Sequence, residues 1–163
     1  MKRYAADTSV PVERSRAELD RHLKQAGAKN IVFGEGEQLA FVMFQIGEHV
    51  YRVTLPLPDR NEKRFWSTPK RHFRRTPDEA FKEWEQACRA SWRALCLFIK
   101  GDLEAAALGI VKLEEAMMSF VVVPGADGRP STLGREILPR LAELQSGSTS
   151  IAGLLGFDHG DQK

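Results

Sequence analysis

The sequence predicts an α+β fold with the element order α-β-β-β-α, in which a three-stranded antiparallel sheet is covered by one long helix and further short helices follow. Two patterns carry this. Apolar residues alternate with period two between residues 30 and 58, and beyond residue 77 an apolar stripe of helical period continues for roughly six turns. The chain has 163 residues, of which 42% are hydrophobic and 28% charged, so disordered, collagenous and disulfide-scaffold classes are excluded. A single domain over residues 1–144 is expected, followed by a mobile tail over 145–163 that loses periodicity and gains glycine.

The first helix is expected over residues 16–26. Ser15 and Glu18 have capping-box spacing, Leu19, Leu23 and Ala26 form one apolar stripe, and Gly27 supplies a left-handed end. Val10-Pro11 ahead of it reads as extended, because proline disfavours the helical region for its predecessor.

Three strands follow: one around Ile31 and Phe33, one over residues 39–46, and one in which Tyr51, Val53, Leu55 and Leu57 alternate with polar residues. Gly47-Glu48 suits a two-residue hairpin with positive φ at its first central position. Pro56 and Pro58 end the third strand, since neither can donate to a ladder.

Thr76-Pro77-Asp78-Glu79 is the clearest helix start: a hydroxyl cap, proline in the first turn, and two carboxylates at the positive end of the dipole. Phe81, Trp84, Cys88, Trp92, Leu95, Ile99 and Leu103 then mark the face of a helix over residues 77–108 that should bury both tryptophans on the sheet. Gly101 is expected to bend it and Gly109 to end it. A short helix over 113–119, the apolar run FVVVP, a turn over 125–128 and a helical stretch interrupted or restarted at Pro139 complete the chain.

The net charge of +2 hides a local imbalance. Residues 60–75, RNEKRFWSTPKRHFRR, carry seven Lys or Arg against Glu62 alone, a net of +6 that leaves −4 for the remainder. Lys63, Arg64, Lys70, Arg71, Arg74 and Arg75 are candidate phosphate contacts, and Phe65, Trp66 and Phe73 between them are candidate stacking platforms for unpaired bases. A solvated charged loop with its aromatics folded onto the core, or a site for an acidic protein partner, would give the same pattern. Arg89 and Arg93, in a polar stripe with Lys82, Gln86 and Lys100, are weaker candidates on the outer face of the long helix. Arg14 and Arg16, beside the first capping box, are similar.

The chemistry of catalysis is not visible. His22, His49, His72 and His159 lack metal-ligand spacing, Glu114 and Glu115 read as dipole-complementing charges, and Gly34-Glu35-Gly36 precedes a strand, not the helix a phosphate cradle needs. No enzyme activity, cofactor or metal is expected. Cys88 and Cys96 fall roughly 12 Å apart on one helix, beyond the Cα separation of about 7 Å that a disulfide allows. They read as unpaired buried thiols in a reducing compartment. With no apolar h-region near the amino end and no apolar run of about 20 residues, a cytoplasmic setting without membrane contact is expected.

The combination VPVERSRAEL, LPLPDRNEKRF and AFKEWEQACRASWRALCLFIKGDLEAAALGI resembles a family of small uncharacterised proteins of bacteriophages, prophages and other mobile elements, over residues 10–144. The resemblance implies a gene product acting in the cytoplasm of a bacterial host, and carries no catalytic motif. A topological likeness to double-stranded RNA-binding domains lies in the order helix, three antiparallel strands, and a helix preceded by basic residues. Together these readings point to a non-enzymatic nucleic-acid-binding protein, single strands favoured. The alternative is a protein-binding inhibitor or adaptor, of host-takeover or anti-defence type, that docks the same segment on an acidic or nucleic-acid-binding host protein.

Overall fold

The computed structural model describes residues 5, 7–68 and 73–145. The expected tail beyond Gln145 lies outside the described residues. Helix α1 (Val12–Gln25) begins three residues before the expected capping box. Pro11, extended at φ −60° and ψ 155°, is the cap residue, and the Ser15 amide donates to the Pro11 carbonyl at 3.1 Å. Ser15 is therefore interior to the helix, fully buried, and does not cap it. Proline's fixed φ positions the chain for a first turn that starts at Val12, which packs against the core. At the other end Gly27 adopts φ +81°, its amide donates to the Lys24 carbonyl, and Ala28 donates to that of Leu23. This double closure satisfies carbonyls the helix leaves open.

Strands β1 (Lys29–Glu35), β2 (Leu39–Ile46) and β3 (His49–Pro56) form an antiparallel sheet in the order β1-β2-β3. The β1–β2 register shifts between Lys29 and Val32, where Asn30 has φ +53°. Gly47, at φ +60°, turns β2 into β3 as its sequence required. One face buries Ala40, Val42, Phe44, Tyr51 and Val53, and Phe44 stacks on its cross-strand partner Tyr51 with ring centroids 5.4 Å apart.

After β3 come a single-turn helix α2 (Lys63–Trp66) and the long helix α3 (Pro77–Ala107), which packs on the sheet. The capping box at Thr76 and Glu79 is formed in both directions, and hydrogen bonds from Thr76 lower the Glu79 carboxyl pKa. Trp92, Leu95, Cys96, Ile99 and Leu103 join Leu19 and Leu23 of α1 and the buried face of the sheet in one core. The helix runs unbroken through Gly101 and ends at Gly109, φ +71°.

Trp84 departs from expectation. It is half-buried, and its indole N–H donates to the Pro58 carbonyl at 2.8 Å. Helix α3 packs on α2 as well as on the sheet, and Trp84 meets the segment after β3, so a stripe continuous in sequence meets different partners in space.

Helix α4 (Leu113–Ala116) is followed by a 3₁₀ turn (Met118–Phe120), where a continuous short helix was expected. Strand β4 (Val122–Pro124) takes up part of the apolar run, and a second strand, β5 (Pro130–Thr132), pairs with it antiparallel. Helix α5 (Leu133–Gln145) contains Pro139 without interruption. Among the described residues no helix is long and apolar enough to cross a membrane.

Candidate nucleic-acid interface and the adjoining groove

Within the basic segment, α2 is fixed by burial of Phe65, which is 4% exposed. The residues on either side of 69–72 pair as a short ribbon. Ser67 and Arg74 form an antiparallel bridge, Thr68 donates its amide to the Phe73 carbonyl at 3.0 Å, and the Phe73 amide donates to the Thr68 hydroxyl at 3.1 Å. The Arg75 amide closes the ribbon on the Trp66 carbonyl at 2.9 Å.

Arg75 organises the base of this ribbon. Its Nη1 donates to the carbonyls of Ser67 at 2.8 Å, Arg64 at 3.0 Å and Phe65 at 3.3 Å, while Nη2 lies 3.5 Å from the Glu83 carboxylate. A side chain so engaged, and only 14% exposed, is a support and not a free phosphate contact. Its role corrects the expectation from sequence that Arg75 is a phosphate contact. Phe65 is corrected too, because it is buried, and the Arg64 guanidinium lies over its ring at 4.7 Å.

The remaining candidates divide by exposure. Lys63 and Arg74 are exposed, and Phe73 at 64% exposure is among the most open large apolar side chains described. Arg64 is exposed but paired with Glu62 at 2.7 Å. Trp66 is half-buried, with its indole N–H donated to the Arg60 carbonyl at 3.1 Å, so its ring has a fixed orientation. Lys70 and Arg71 lie outside the described residues. Arg93 belongs elsewhere: it joins α3 to α1 by pairing with Glu18 at 2.5 Å. Arg89 is half-buried, and Gln86 Oε1 accepts from its Nε at 3.1 Å and its Nη2 at 2.8 Å.

Arg89 leads to a feature that sequence reasoning missed. A groove of about 830 Å³ runs between the start of α1, the β1–β2 turn, the segment after β3 and the face of α3. Trp84 and Trp92 wall it, Cys88 lies on it, and Arg16, Arg60 and Arg89 contribute its cations. Arg16 lies 5.2 Å from the Trp92 ring and 5.3 Å from that of Phe33, and pairs with Glu35 at 3.1 Å. Five carboxylates, those of Glu13, Glu35, Glu37, Asp59 and Glu85, line the same groove. Burial, with Glu35 and Glu85 adding their charge, pushes the Cys88 thiol up to about 11. The only local signal for this groove was the weak one at Arg16, because its walls come from segments distant in sequence.

No group of His, Cys, Asp and Glu among the described residues could hold a metal ion. Fold and site together define an α+β chain with a basic, aromatic-bearing ribbon beside a groove of mixed charge. Comparison with protein-family models, curated proteins and solved structures gives no match.

Proposed function

We propose that this is a non-enzymatic nucleic-acid-binding protein that holds single strands on the basic, aromatic segment at residues 60–75, in the cytoplasm of a bacterial host as a phage or mobile-element product. The observation that carries the reading is the exposure of Phe73 beside Arg74 on a ribbon whose base is braced by Arg75. A phenyl ring exposed beside cations offers a face on which an unpaired base can stack while the neighbouring cations meet its phosphates. Bracing by carbonyl hydrogen bonds reduces the ordering cost of binding.

The test is an anisotropy titration with single- and double-stranded DNA and RNA at about 50 mM salt, where phosphate contacts are strong. Tighter binding of single strands, weakened by Phe73→Ala, is the expected result. No binding to any of the four rejects the reading.

In the second reading an inhibitor or adaptor docks on a host protein through the same segment, and an apolar surface outside that segment would add to the contact. Leu108, Ile110, Met118 and Leu138 are each more than half exposed in the carboxyl-terminal half. Exposed apolar side chains of this size are common at protein interfaces.

A further inference from the structure

The groove differs from the ribbon in offering hydrogen-bonding groups of both signs. Glu13, Glu37 and Glu85 have no hydrogen-bond or ion-pair partner among the described residues, and Arg89 meets Gln86 but no carboxylate. The walls are rigid for defined reasons: Trp84 is tied to Pro58 through its N–H, and Arg16 is held between Glu35 and the two rings beneath it. A volume of about 830 Å³ lies within the range of sites that take small ring systems.

Charge selects among ligands. With five carboxylates to three guanidinium groups, the lining disfavours a phosphate inside it. A neutral ring rich in N–H donors is favoured, provided that its phosphates lie elsewhere. The basic segment supplies that elsewhere, because its first residues, Arg60 and Asn61, line the groove. A strand lying along the cations can therefore drop one base into the groove.

The four bases are not equivalent there. Guanine presents adjacent N1–H and N2–H donors, which a single carboxylate accepts together, and its O6 and N7 accept from an arginine such as Arg89. Thymine and uracil would turn two carbonyl oxygens toward carboxylates. We infer that the groove takes one unpaired base from a single strand bound on the ribbon, and takes guanine in preference to the other three. This rests on the nucleic-acid reading above.

The test uses short oligothymidylates carrying one central guanine, adenine or cytosine, titrated by anisotropy against the wild type, Glu85→Gln and Glu37→Gln. One bidentate contact predicts binding about tenfold tighter for the guanine oligonucleotide than for oligothymidylate alone. At least one of the two variants should reduce that ratio to near unity, with folding checked by circular dichroism; Glu37 is exposed on a turn, so its variant is expected to fold. Equal affinity for all the oligonucleotides overturns the inference and leaves the ribbon reading standing. A guanine preference that both variants retain also overturns it. No binding to any of them removes the ribbon reading and this inference together.

Discussion

Arg75 holds Ser67 through a 2.8 Å hydrogen bond from its guanidinium to the Ser67 carbonyl, so that the strand leaving the ribbon grips the strand entering it. Arg74, the next residue along, faces solvent. Adjacent cations thus have opposite duties, and replacing them separates support from binding.

Arg75→Ala should lower folding stability by about 1.5–3 kcal/mol, the usual worth of hydrogen bonds to a charged group. Arg74→Ala should leave the melting temperature unchanged and reduce the slope of log affinity against log salt by roughly 0.7, one phosphate contact on a single strand. Thermal melts and salt titrations of the two variants check both outcomes. The reverse assignment would show that Arg74 carries the structure.

Trp92 and Trp84 should respond unequally to truncation. Trp92 is 1% exposed in the core, so Trp92→Ala should cost about 3–5 kcal/mol. Trp84 is half-buried with one hydrogen bond to Pro58, and its loss should cost less, about 1–2 kcal/mol. Urea unfolding of both variants makes the comparison.

The pairing of Glu18 with Arg93 predicts an acid-sensitive contribution to stability. The hydrogen bond from Arg93 holds the Glu18 carboxyl below its ordinary value of 4.5, with the charges of Arg93, His22 and Lys100 adding to it against the effect of burial. A carboxyl lowered in the folded state stabilises fully above its unfolded value and loses that contribution as pH falls through the folded one. Glu18→Gln should therefore cost about 1–2 kcal/mol near neutrality, and its unfolding midpoint should fall less steeply than the wild type's below about pH 4.5. Parallel curves for the two proteins would refute the coupling.

Both cysteines should react slowly in the native protein. Cys96 is 1% exposed, and a Cys88 thiol pushed up to about 11 leaves roughly one molecule in a thousand as thiolate at pH 8. A thiol reagent at pH 8 should label neither rapidly, and labelling should accelerate once urea unfolds the chain. Rapid native labelling would place Cys88 outside the environment described.

What the sequence determined by itself was a set of features governed by near neighbours along the chain. The two-fold period specified the three strands and, in β3, the core-facing Tyr51 and Val53, Gly27 and Gly47 supplied the positive φ that their turns use, and Thr76 with Glu79 started α3. Each depends on contacts within a few residues, which spacing alone encodes. The start of α1 was misread because two local signals competed, and Pro11 with a packed Val12 prevailed over the capping box at Ser15.

The tertiary structure alone decided the partner of each long side chain. Seven cations looked alike in the basic window, yet Arg75 reaches three carbonyls, Arg64 a carboxylate, and Arg74 solvent. Arg93 finds Glu18 across 75 positions, and the groove joins residues from α1, the β1–β2 turn, the segment after β3 and α3. Periodicity states which face of an element is apolar. It does not state what stands opposite a flexible charged side chain several ångströms long, and that is set only when the elements pack.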